Sequence, residues 1–268
     1  WIWGKMTTRF ASRKNILAKE VLGYPNGSFS HLFQLLAKTC ESNSAEIFLS
    51  TQIKRIRGSN SGEVFMTIGQ QGEEEAFDAV IASTPSHIFN CLTEGLSKEY
   101  RSKLLNIKYM AAVLIVLVLK HPLSDVYWLN IADRSVPFIG IIEHTNLVGS
   151  ERYKGRNIVY LSNYLSEDHE LYKMTGSELF DTYLPHLKKI NPDFTADWVK
   201  EYHHHKIPNA QPVVDTNYGK NIPAHETGIQ NLYLANTSQV YPQDRGTNYS
   251  VAMGRKMAHL ALLNLKNE

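Results

Sequence analysis

Two apolar runs in the sequence end in small or polar residues, and strand ends of this kind can bind a ligand. The segment 77–85, FDAVIASTP, closes with Thr84 and Pro85, and the segment 231–236, NLYLAN, closes with Asn236. In an open α/β sheet, ligands bind outside the carboxyl ends of the strands. We therefore predict that both segments lie in one sheet and that their ends form part of a binding site.

A helix predicted from about Asn248 to Leu265 follows the second run, and its start could stabilise a negative charge. The first N–H groups of a helix lack intrahelical partners, and the helix dipole is positive at this end. Arg245 adds a fixed positive charge just before the helix, and Gly246 permits close approach of a ligand. The face that we expect to be buried carries Val251, Ala258, Leu262 and Leu265, with Gly254 on the same side.

Two histidine-containing segments also have residue types suited to chemistry. Neighbouring residues in a strand point to opposite faces, so at most His203 and His205 could share a metal ion. No third ligand is evident nearby in the sequence, so we expect no metal and interpret these side chains as strand histidines. Glu143 and His144 could form a polar cavity wall and act in acid–base catalysis. Adjacent residues of an extended chain rarely face each other, which favours a hydrogen-bonded strand end instead.

Composition narrows the possible partners. The net charge of +2 gives no electrostatic reason to expect nucleic acid or a membrane surface. The longest apolar run, 110–119, is far shorter than the roughly 20 residues of a membrane-spanning helix, and its Val, Ile and Leu residues are typical of a buried strand. We predict that Cys40 and Cys91 fill the core, as suits a reducing cytoplasm. We see no secretory leader, and the sequence leaves the oligomeric state open.

Periodicity indicates the other elements. A helix in the first part is predicted by apolar residues recurring at three- and four-residue intervals: Phe29, Leu32, Phe33, Leu36 and Cys40. Ser28 or Ser30 is placed to cap it. Strands are predicted at 46–51, 64–68 and 77–85, and in the centre at 110–119, 137–143, 157–162 and 197–202. Between the last two, a helix capped by Ser177 has an apolar face formed by Leu179, Tyr183, Leu184 and Leu187.

Three segments together resemble the FAD-dependent amine oxidase and protoporphyrinogen oxidase-like superfamily of NAD(P)/FAD oxidoreductases. They are LGYPNGSFSHLFQLLAKTC (22–40), STQIKRI (50–56) with FDAVIASTP (77–85), and NLYLANTSQVYPQDRGTNYSVAMGRKMAHLAL (231–262). The order and spacing match the superfamily, whereas Asn236 and Thr237 stand where Gly-Asp is usual. The G-x-G-x-x-G loop that normally holds the pyrophosphate is absent and would lie before Trp1. Because the chain also begins without a methionine, we expect it to be the carboxy-terminal part of a longer protein.

The resemblance implies an α/β plus α+β fold. An incomplete FAD/NAD(P)-binding Rossmann-like lobe would comprise residues 1–94 and 224–268, and an inserted mixed-sheet substrate lobe would comprise residues 95–223. The reaction implied is hydride abstraction from a C–H bond of a small-molecule substrate by the flavin N5 of FAD.

The resemblance also implies positions for the cofactor. Backbone groups of Ile53 would bind adenine, and Thr84 and Pro85 would line the adenine and ribose. Asn236 and Thr237 would lie near the pyrophosphate and ribityl chain. The pyrimidine side of the flavin would face a segment formed by Arg245, Gly246, Thr247 and Asn248.

The segment 207–223 has two interpretations of equal weight. It resembles the stretch that passes the flavin ring, so Ala210, Gln211 and Pro212 could line the substrate cavity, as could His144. It could equally be a connector bounded by prolines.

Two other functions stay open at the level of sequence. A relative of UDP-galactopyranose mutase would use the flavin without net redox change, although no arginine cluster for a diphosphate is obvious. A cofactor-free binding module with a degenerate flavin lobe is suggested by the absent phosphate loop and by Asn236 and Thr237. In each case we expect the isolated chain to be colourless and inactive.

Overall fold

The computed structural model describes residues 3, 6, 7, 23–243 and 245–266 of the chain. The chain divides into two compact units, of which the larger comprises Trp1–Lys108 and Pro212–Glu268 and the smaller comprises Tyr109–Gln211. The boundaries that the sequence predicts for the substrate lobe, near residues 95 and 223, both lie outside the smaller unit. The reason at the first boundary is that Tyr100 and Leu104 pack into the core of the larger unit.

The elements follow the chain in three groups. The first group is α1 (Ser28–Ser42), β1 (Ile53–Gly58), β2 (Val64–Ile68), β3 (Glu73–Phe77), β4 (Val80–Ala82), α2 (Ser86–Leu92) and α3 (Lys98–Asn106). The second is β5 (Tyr109–Leu119), β6 (Trp128–Asn130), β7 (Gly140–Glu143), α4 (Thr145–Val148), β8 (Asn157–Leu165), α5 (Glu170–Lys173), α6 (Gly176–Tyr183) and β9 (Val199–Pro212). The third is α7 (Tyr218–Asn221), β10 (Leu232–Leu234) and α8 (Thr247–Lys266). Short 3-10 turns lie at Ser150–Tyr153, Leu184–Lys189, Ala196–Trp198 and Thr237–Gln239.

The predicted pairing of the two apolar runs is confirmed. Strands β4 and β10 form a parallel pair, with Leu232 opposite Val80 and Leu234 opposite Ala82. All three residues of β10 are buried, as expected for a parallel strand that is covered on both faces. One face packs into the core beneath α2 and α3, and on the other Tyr233 packs against Met257 and Ala261 of α8.

A second sheet of the larger unit is antiparallel, with the order β1-β2-β3. Its strand β2 confirms the predicted strand at 64–68, and β3 begins before the predicted strand at 77–85, at Glu73. The predicted strand at 46–51 is wrong, because this segment is irregular, with a turn at 49–50, and exposes Ile47, Phe48 and Leu49. An apolar run forms a strand only where a neighbouring strand accepts its backbone hydrogen bonds.

The smaller unit is built on a five-stranded sheet with the order β6-β7-β8-β5-β9. Strand β5 confirms the predicted buried strand at 110–119, and it pairs antiparallel with β8 over nine residue pairs from Ala111↔Leu165 to Leu119↔Asn157. Helix α6 covers the sheet through Leu179 and Tyr183, which are both fully buried.

Two predicted helix caps differ from the structure. Helix α6 is capped by Thr175, not by Ser177, because Thr175 and Glu178 form a reciprocal capping box. Helix α1 begins after Gly27, whose φ of +91° is accessible to glycine without strain, and neither Ser28 nor Ser30 caps it.

Two burial predictions are also wrong. Helix α8 has the predicted extent to within a residue at each end, but it packs through Met257 and Ala261, while Val251, Ala258 and Leu262 face outwards. Both cysteines, Cys40 and Cys91, are exposed. Among the described residues, no helix combines the length and the apolar character needed to cross a bilayer.

Candidate functional site

The carboxyl ends of β4 and β10 meet at one edge of their parallel pair. The backbone N–H of Ala235 donates to the carbonyl oxygen of Ala82 over 2.8 Å, which extends the pairing by one residue. Thr84 and Asn236 each lie two residues beyond the last residue of their strand. The parallel register therefore brings these two predicted site residues together, although they are far apart in sequence.

The side-chain amide of Asn236 links the two strand ends at this edge by hydrogen bonds. It donates to the carbonyl oxygen of Thr84 over 2.9 Å and to the hydroxyl of Ser86 over 3.2 Å. Its oxygen accepts hydrogen bonds from the backbone N–H of Ser238 over 3.0 Å and from the hydroxyl of Ser238 over 2.6 Å. A side-chain amide has two N–H donors and an oxygen with two lone pairs, so its capacity is exhausted. The side chain of Asn236 therefore holds the strand ends and has no hydrogen bond left for a ligand.

Further hydrogen bonds connect neighbouring loops to this edge. The side chain of Gln239 accepts from the backbone N–H of Asn236 over 2.9 Å and donates to the carbonyl of Pro223 over 3.1 Å. The hydroxyl of Tyr218 donates to the carbonyl of Ser238 over 2.7 Å. Sequence reasoning missed Ser86, Ser238, Gln239 and Tyr218. The sequence contains a signal for one of these residues, Gln239, because it follows Asn236 at the three-residue spacing of a capping box.

Arg245 lies beside this network. Its Nε donates to the carbonyl of Thr237 over 3.2 Å, and its guanidinium carbon lies 5.9 Å from the centre of the Tyr218 ring. Among the residues that the structure describes, its buried Nη2 atom has no hydrogen-bond partner, and the same holds for the hydroxyl of Thr84. Buried polar atoms are nearly always paired, so these two are candidates for ligand contacts.

The segment after Arg245 starts helix α8. The carbonyl of Gly246 accepts from the backbone N–H groups of Tyr249 over 3.0 Å and Ser250 over 3.3 Å. A side chain at position 246 would place its Cβ 2.6 Å from Oδ1 of Asn248, so this position requires glycine unless the side chain moves. Thr247 and Asn248 are exposed at the positive end of the helix dipole, next to the charge of Arg245.

Two other predicted cofactor residues have structural roles. Pro85 precedes helix α2 as its N-cap, and its carbonyl accepts from the N–H of Phe89 over 2.9 Å. Ile53 is the first residue of β1 and so belongs to the antiparallel sheet, where it packs at the margin of the core that contains Val80 and Ala82. Its contact with adenine stays a prediction.

The predicted substrate-cavity residues lie at the end of β9 and after β7. Ala210 and Gln211 are half-buried in the smaller unit, whereas Pro212 is buried and belongs to the larger unit. The backbone of Val213 donates to the carbonyl of Lys108 over 2.8 Å. The first part of the segment 207–223 is thus a strand, and the roles of these residues at a substrate stay predictions.

The last residue of β7 and the residues after it form a hydrogen-bonded strand end. The fully buried carboxylate of Glu143 accepts from the backbone N–H groups of Leu123 and Ser124, each over 2.8 Å, and from the hydroxyl of Ser124 over 3.1 Å. Burial raises the pKa of Glu143, and these hydrogen bonds oppose the rise. Asn146 donates from its side chain to the carbonyls of Ser124 and Val126 over 2.8 and 3.2 Å. These contacts fit the interpretation as a strand end.

His144 is buried in an aromatic environment. Its Nε2 lies 2.9 Å from the hydroxyl of Tyr153, and its ring contacts the rings of Tyr153 and Tyr160 edge to face. Burial lowers the pKa of His144, because the charged form loses hydration. The neutral imidazole is therefore favoured, and the contribution of His144 to a substrate cavity stays a prediction.

His203 and His205 are exposed on β9, and His204 between them is half-buried. Within the described ranges, no three or more histidine, cysteine, aspartate or glutamate side chains are grouped to hold a metal ion.

The fold is shared with solved structures of oxidases and of a mutase. A protein assigned as a protoporphyrinogen oxidase, from Exiguobacterium sp. 255-15, matches with a TM-score of 0.72 and 15% identity, over 88% of this chain and 51% of that one. A putrescine oxidase variant matches with a TM-score of 0.70 and 11% identity, over 88% and 53%. Reduced UDP-galactopyranose mutase matches with a TM-score of 0.63 and 17% identity, over 78% and 46%.

These matches confirm the coarse part of the fold that the sequence resemblance implied, a combination of helices and several sheets. The chain has the fold of the carboxy-terminal portion of these proteins and spans about half of their length. No protein-family model matches the chain. No curated protein sequence matches it either.

The sequence resemblance implies FAD, and the unpaired polar atoms at the meeting strand ends fit such a ligand. FAD carries phosphate, hydroxyl and carbonyl groups, most of which accept hydrogen bonds. The buried Nη2 of Arg245, which has no partner among the described residues, can donate to such an acceptor, and the hydroxyl of Thr84 can donate or accept. Asn236 contributes no side-chain contact, because its amide is already fully bonded.

Proposed function

We propose that this chain is the carboxy-terminal part of an FAD-dependent oxidoreductase that takes a hydride from a C–H bond of a small molecule. One observation carries the proposal: the parallel pair of β4 and β10 joins Thr84 to Asn236 at one sheet edge, within a fold shared with oxidases. Ligands of open α/β sheets bind at such an edge. The larger unit would form part of the FAD-binding lobe, and the smaller unit would be the substrate-binding lobe.

In this proposal, the chain's own residues position and polarise the cofactor. The guanidinium of Arg245 would donate to an anionic or carbonyl oxygen through Nη2, which has no hydrogen-bond partner in the described part of the chain. The hydroxyl of Thr84 would bind a neighbouring polar group. Bound FAD supplies the electron-accepting ring that amino-acid side chains lack. The positive charge of Arg245 and the start of α8 would stabilise negative charge that develops beside them.

A flavin enzyme without net redox change is the second candidate. The match to UDP-galactopyranose mutase supports it, since the same fold serves that protein. The two candidates differ in what a substrate does to the cofactor: an oxidoreductase substrate reduces the flavin stoichiometrically, and a sugar-nucleotide isomerisation returns the flavin to its starting state in each turnover.

Visible absorbance of the protein carrying its natural upstream sequence tests the proposal. We expect flavin bands after purification or reconstitution, and anaerobic bleaching by an oxidisable substrate. Bands that no amine or other oxidisable candidate bleaches, with turnover of a sugar nucleotide, would favour the mutase. A colourless protein that gains no flavin would favour the cofactor-free binding module. The isolated 268-residue chain should be colourless and inactive, so stoichiometric FAD in that preparation would contradict its assignment as an incomplete lobe.

A further inference from the structure

A cavity of about 300 Å³ lies in the smaller unit, between the loop 131–139 and the end of β8 with the segment that follows it. All of its lining residues belong to that unit. Asn163 and Leu165 stand two residues apart in β8, so their side chains share one sheet face, and Leu165 packs in the same core as Leu179 of α6. The volume is at the lower end of the range of small-molecule sites, which suits a ligand the size of a single ring.

The inner walls of this cavity are apolar and belong to the core. Val136, Phe138, Leu165 and Leu171 line it, and their exposure ranges from 1% for Phe138 to 9% for Leu165 and Leu171. The ring of Phe138 is held edge to face against the ring of Tyr183, with 5.0 Å between the ring centres. Walls that are packed in this way suit the hydrocarbon body of a ligand. Because an apolar cavity can also stay empty, the polar groups beside these walls have to define what binds.

The side chain of Asn163 lines the cavity with hydrogen-bonding capacity to spare. It is 5% exposed, and its Nδ2 donates to the carbonyl oxygen of Pro137 over 2.7 Å. Within the described residues, its amide oxygen accepts no hydrogen bond, although such an oxygen has two lone pairs. Buried polar atoms are nearly always paired, so this oxygen is an acceptor for a donor group that enters the cavity.

The hydroxyl of Tyr183 is a second polar group with unused capacity near Asn163. It is buried, and it has no hydrogen-bond partner in the part of the chain that the structure describes. Burial raises the pKa of Tyr183 to about 12, and the nearby amide of Asn163 opposes the rise. The amide is therefore close to this hydroxyl, although the two form no hydrogen bond of normal geometry. Both groups are uncharged, so they favour an uncharged partner, because a buried charge would lose its hydration here without a counter-charge.

The charged groups of the lining lie at its exposed rim. Asp133 forms an ion pair with Lys189 over 3.0 Å, so its charge is already matched. Arg134 is exposed and has no ion pair or hydrogen bond with any described residue. His169 is exposed as well, and its Nδ1 accepts from the backbone N–H of Leu171 over 3.2 Å. Charges at a rim are screened by water and ions, so they contribute less to selection than the neutral groups inside.

We propose that this cavity is a binding site for a small uncharged molecule of the phenol class, with an apolar ring as its body and one hydroxyl group. The hydroxyl would donate to the amide oxygen of Asn163, and the ring would lie against Phe138 and Leu165. Neither His144 nor residues 210–212, the predicted lining of the substrate cavity, line this space. The site therefore goes beyond the proposed flavin chemistry and does not depend on it.

Titration calorimetry with three matched probes tests the proposal. The protein extended to its natural start codon, called the extended protein, is titrated with p-cresol, with toluene, which lacks the hydroxyl, and with p-toluate, which replaces it by a carboxylate. We expect saturable binding of one p-cresol per chain. The affinity for p-cresol should exceed that for toluene by roughly tenfold, the ratio that corresponds to one hydrogen bond, and should exceed that for p-toluate by at least as much.

Two variants locate the bound molecule. Asn163→Leu keeps the approximate volume of the side chain and removes the amide, so p-cresol should bind no more tightly than toluene. Its matched control is Asn130→Leu, at an exposed asparagine of the same unit, which should leave both affinities unchanged. Ala132→Trp adds a large side chain at an exposed lining position and should abolish binding of both molecules. Circular dichroism checks the folding of each variant, and if Asn163→Leu does not fold, Ala132→Trp and the probe ratios give the answer.

The other outcomes overturn the proposal. Absence of saturable p-cresol binding removes the site, and equal affinities for p-cresol and toluene reduce it to an apolar cavity without hydroxyl recognition. Tighter binding of p-toluate would show that the rim cation Arg134 selects an anion instead. Binding of p-cresol that survives Ala132→Trp lies elsewhere in the protein, and a change of the visible flavin spectrum on titration would assign it to the cofactor site. Flavin content is a separate readout, since a colourless extended protein that binds p-cresol as expected retains this site and rejects the proposed FAD binding.

Discussion

Asn236 and Thr84 lie 152 positions apart in the chain, and the side-chain amide of Asn236 donates to the carbonyl oxygen of Thr84 over 2.9 Å. This bond joins the two loops that leave the parallel strands β4 and β10. A loop end that is fixed in this way presents its backbone to a ligand in one geometry, so less ordering is needed on binding. The superfamily that the sequence resembles usually has Gly-Asp at the closing strand, and in this chain the side chain of Asn236 forms hydrogen bonds within the protein.

Replacing Asn236 should destabilise the larger unit. We expect Asn236→Ala to lower the free energy of unfolding by about 1–3 kcal/mol, because the buried N–H of Ser238 loses its acceptor and the carbonyl of Thr84 loses its donor. Asn236→Asp should cost at least as much, since a carboxylate cannot donate to that carbonyl. Urea unfolding measures both effects.

The control for Asn236 is the exposed Asn60 in a surface turn. Asn60→Ala should change the free energy of unfolding by no more than about 0.5 kcal/mol. An equally small effect of Asn236→Ala would show that the amide does not hold the strand ends.

Removing the carboxylate of Glu143 should destabilise the smaller unit. Glu143→Ala leaves the backbone N–H groups of Leu123 and Ser124 without their acceptor, and Glu143→Gln keeps one acceptor oxygen. We expect losses of about 2–5 kcal/mol for the alanine variant and a smaller loss for the glutamine variant. Glu99→Gln, at a side chain that is 83% exposed, is the matched control and should be near neutral.

The raised pKa of Glu143 also predicts the direction of a pH effect. The folded state holds its proton more tightly than the unfolded state, so this group's contribution is fully present below the ordinary pKa of 4.5 and is lost as the pH rises through the folded pKa. The wild-type free energy of unfolding should therefore fall relative to that of Glu143→Gln as the pH rises above that value. A difference that stays constant from pH 4 to 7 would contradict the raised pKa.

His144 should titrate below its ordinary pKa of 6.5, because burial disfavours the imidazolium. With a lowered folded pKa, its contribution to stability is present above pH 6.5 and is lost as the pH falls through the folded pKa. Nitrogen NMR of the ring gives the midpoint directly. In Tyr153→Phe the ring that covers His144 remains, so the midpoint should stay below 6.5. A wild-type midpoint at or above 6.5 would refute the prediction.

Arg245 should contribute to cofactor affinity in the extended protein. Loss of one charge-assisted hydrogen bond is worth about 1.5–3 kcal/mol, so Arg245→Ala should weaken FAD binding by roughly 10- to 150-fold. Arg245→Lys should recover only part of this, because lysine lacks the planar fork of donors. Fluorescence titration with FAD measures the affinity, and Arg255→Ala, at an exposed position of α8, is the control. Equal affinities of Arg245→Ala and the control would remove Arg245 from the site.

The apolar runs and the polar residues that end them were sufficient to predict the main elements around the candidate site. The runs 77–85 and 231–236 contain the paired strands β4 and β10, and polar residues end each run where the strand ends. The hydrogen bonds of Asn236 could not be predicted, because its partners Thr84 and Ser86 come from a loop far away in sequence. Nothing local distinguishes an asparagine that binds a ligand from one that binds another loop.

The sequence by itself determined the strands β4 and β10, the buried strand β5 and the extent of α8, because these follow from local patterns of apolar and polar residues. The likeness to flavin-dependent oxidoreductases came instead from the resemblance of three motif segments in their order and spacing. Only the tertiary structure decided which face of α8 is buried, that residues 46–51 form no strand, and that Asn236 links two loops by hydrogen bonds. The physical reason is that burial and hydrogen bonding depend on which surfaces meet in the folded chain. In α8, Tyr233 meets Met257 and Ala261, and the equally apolar line through Val251 and Leu262 is left outside.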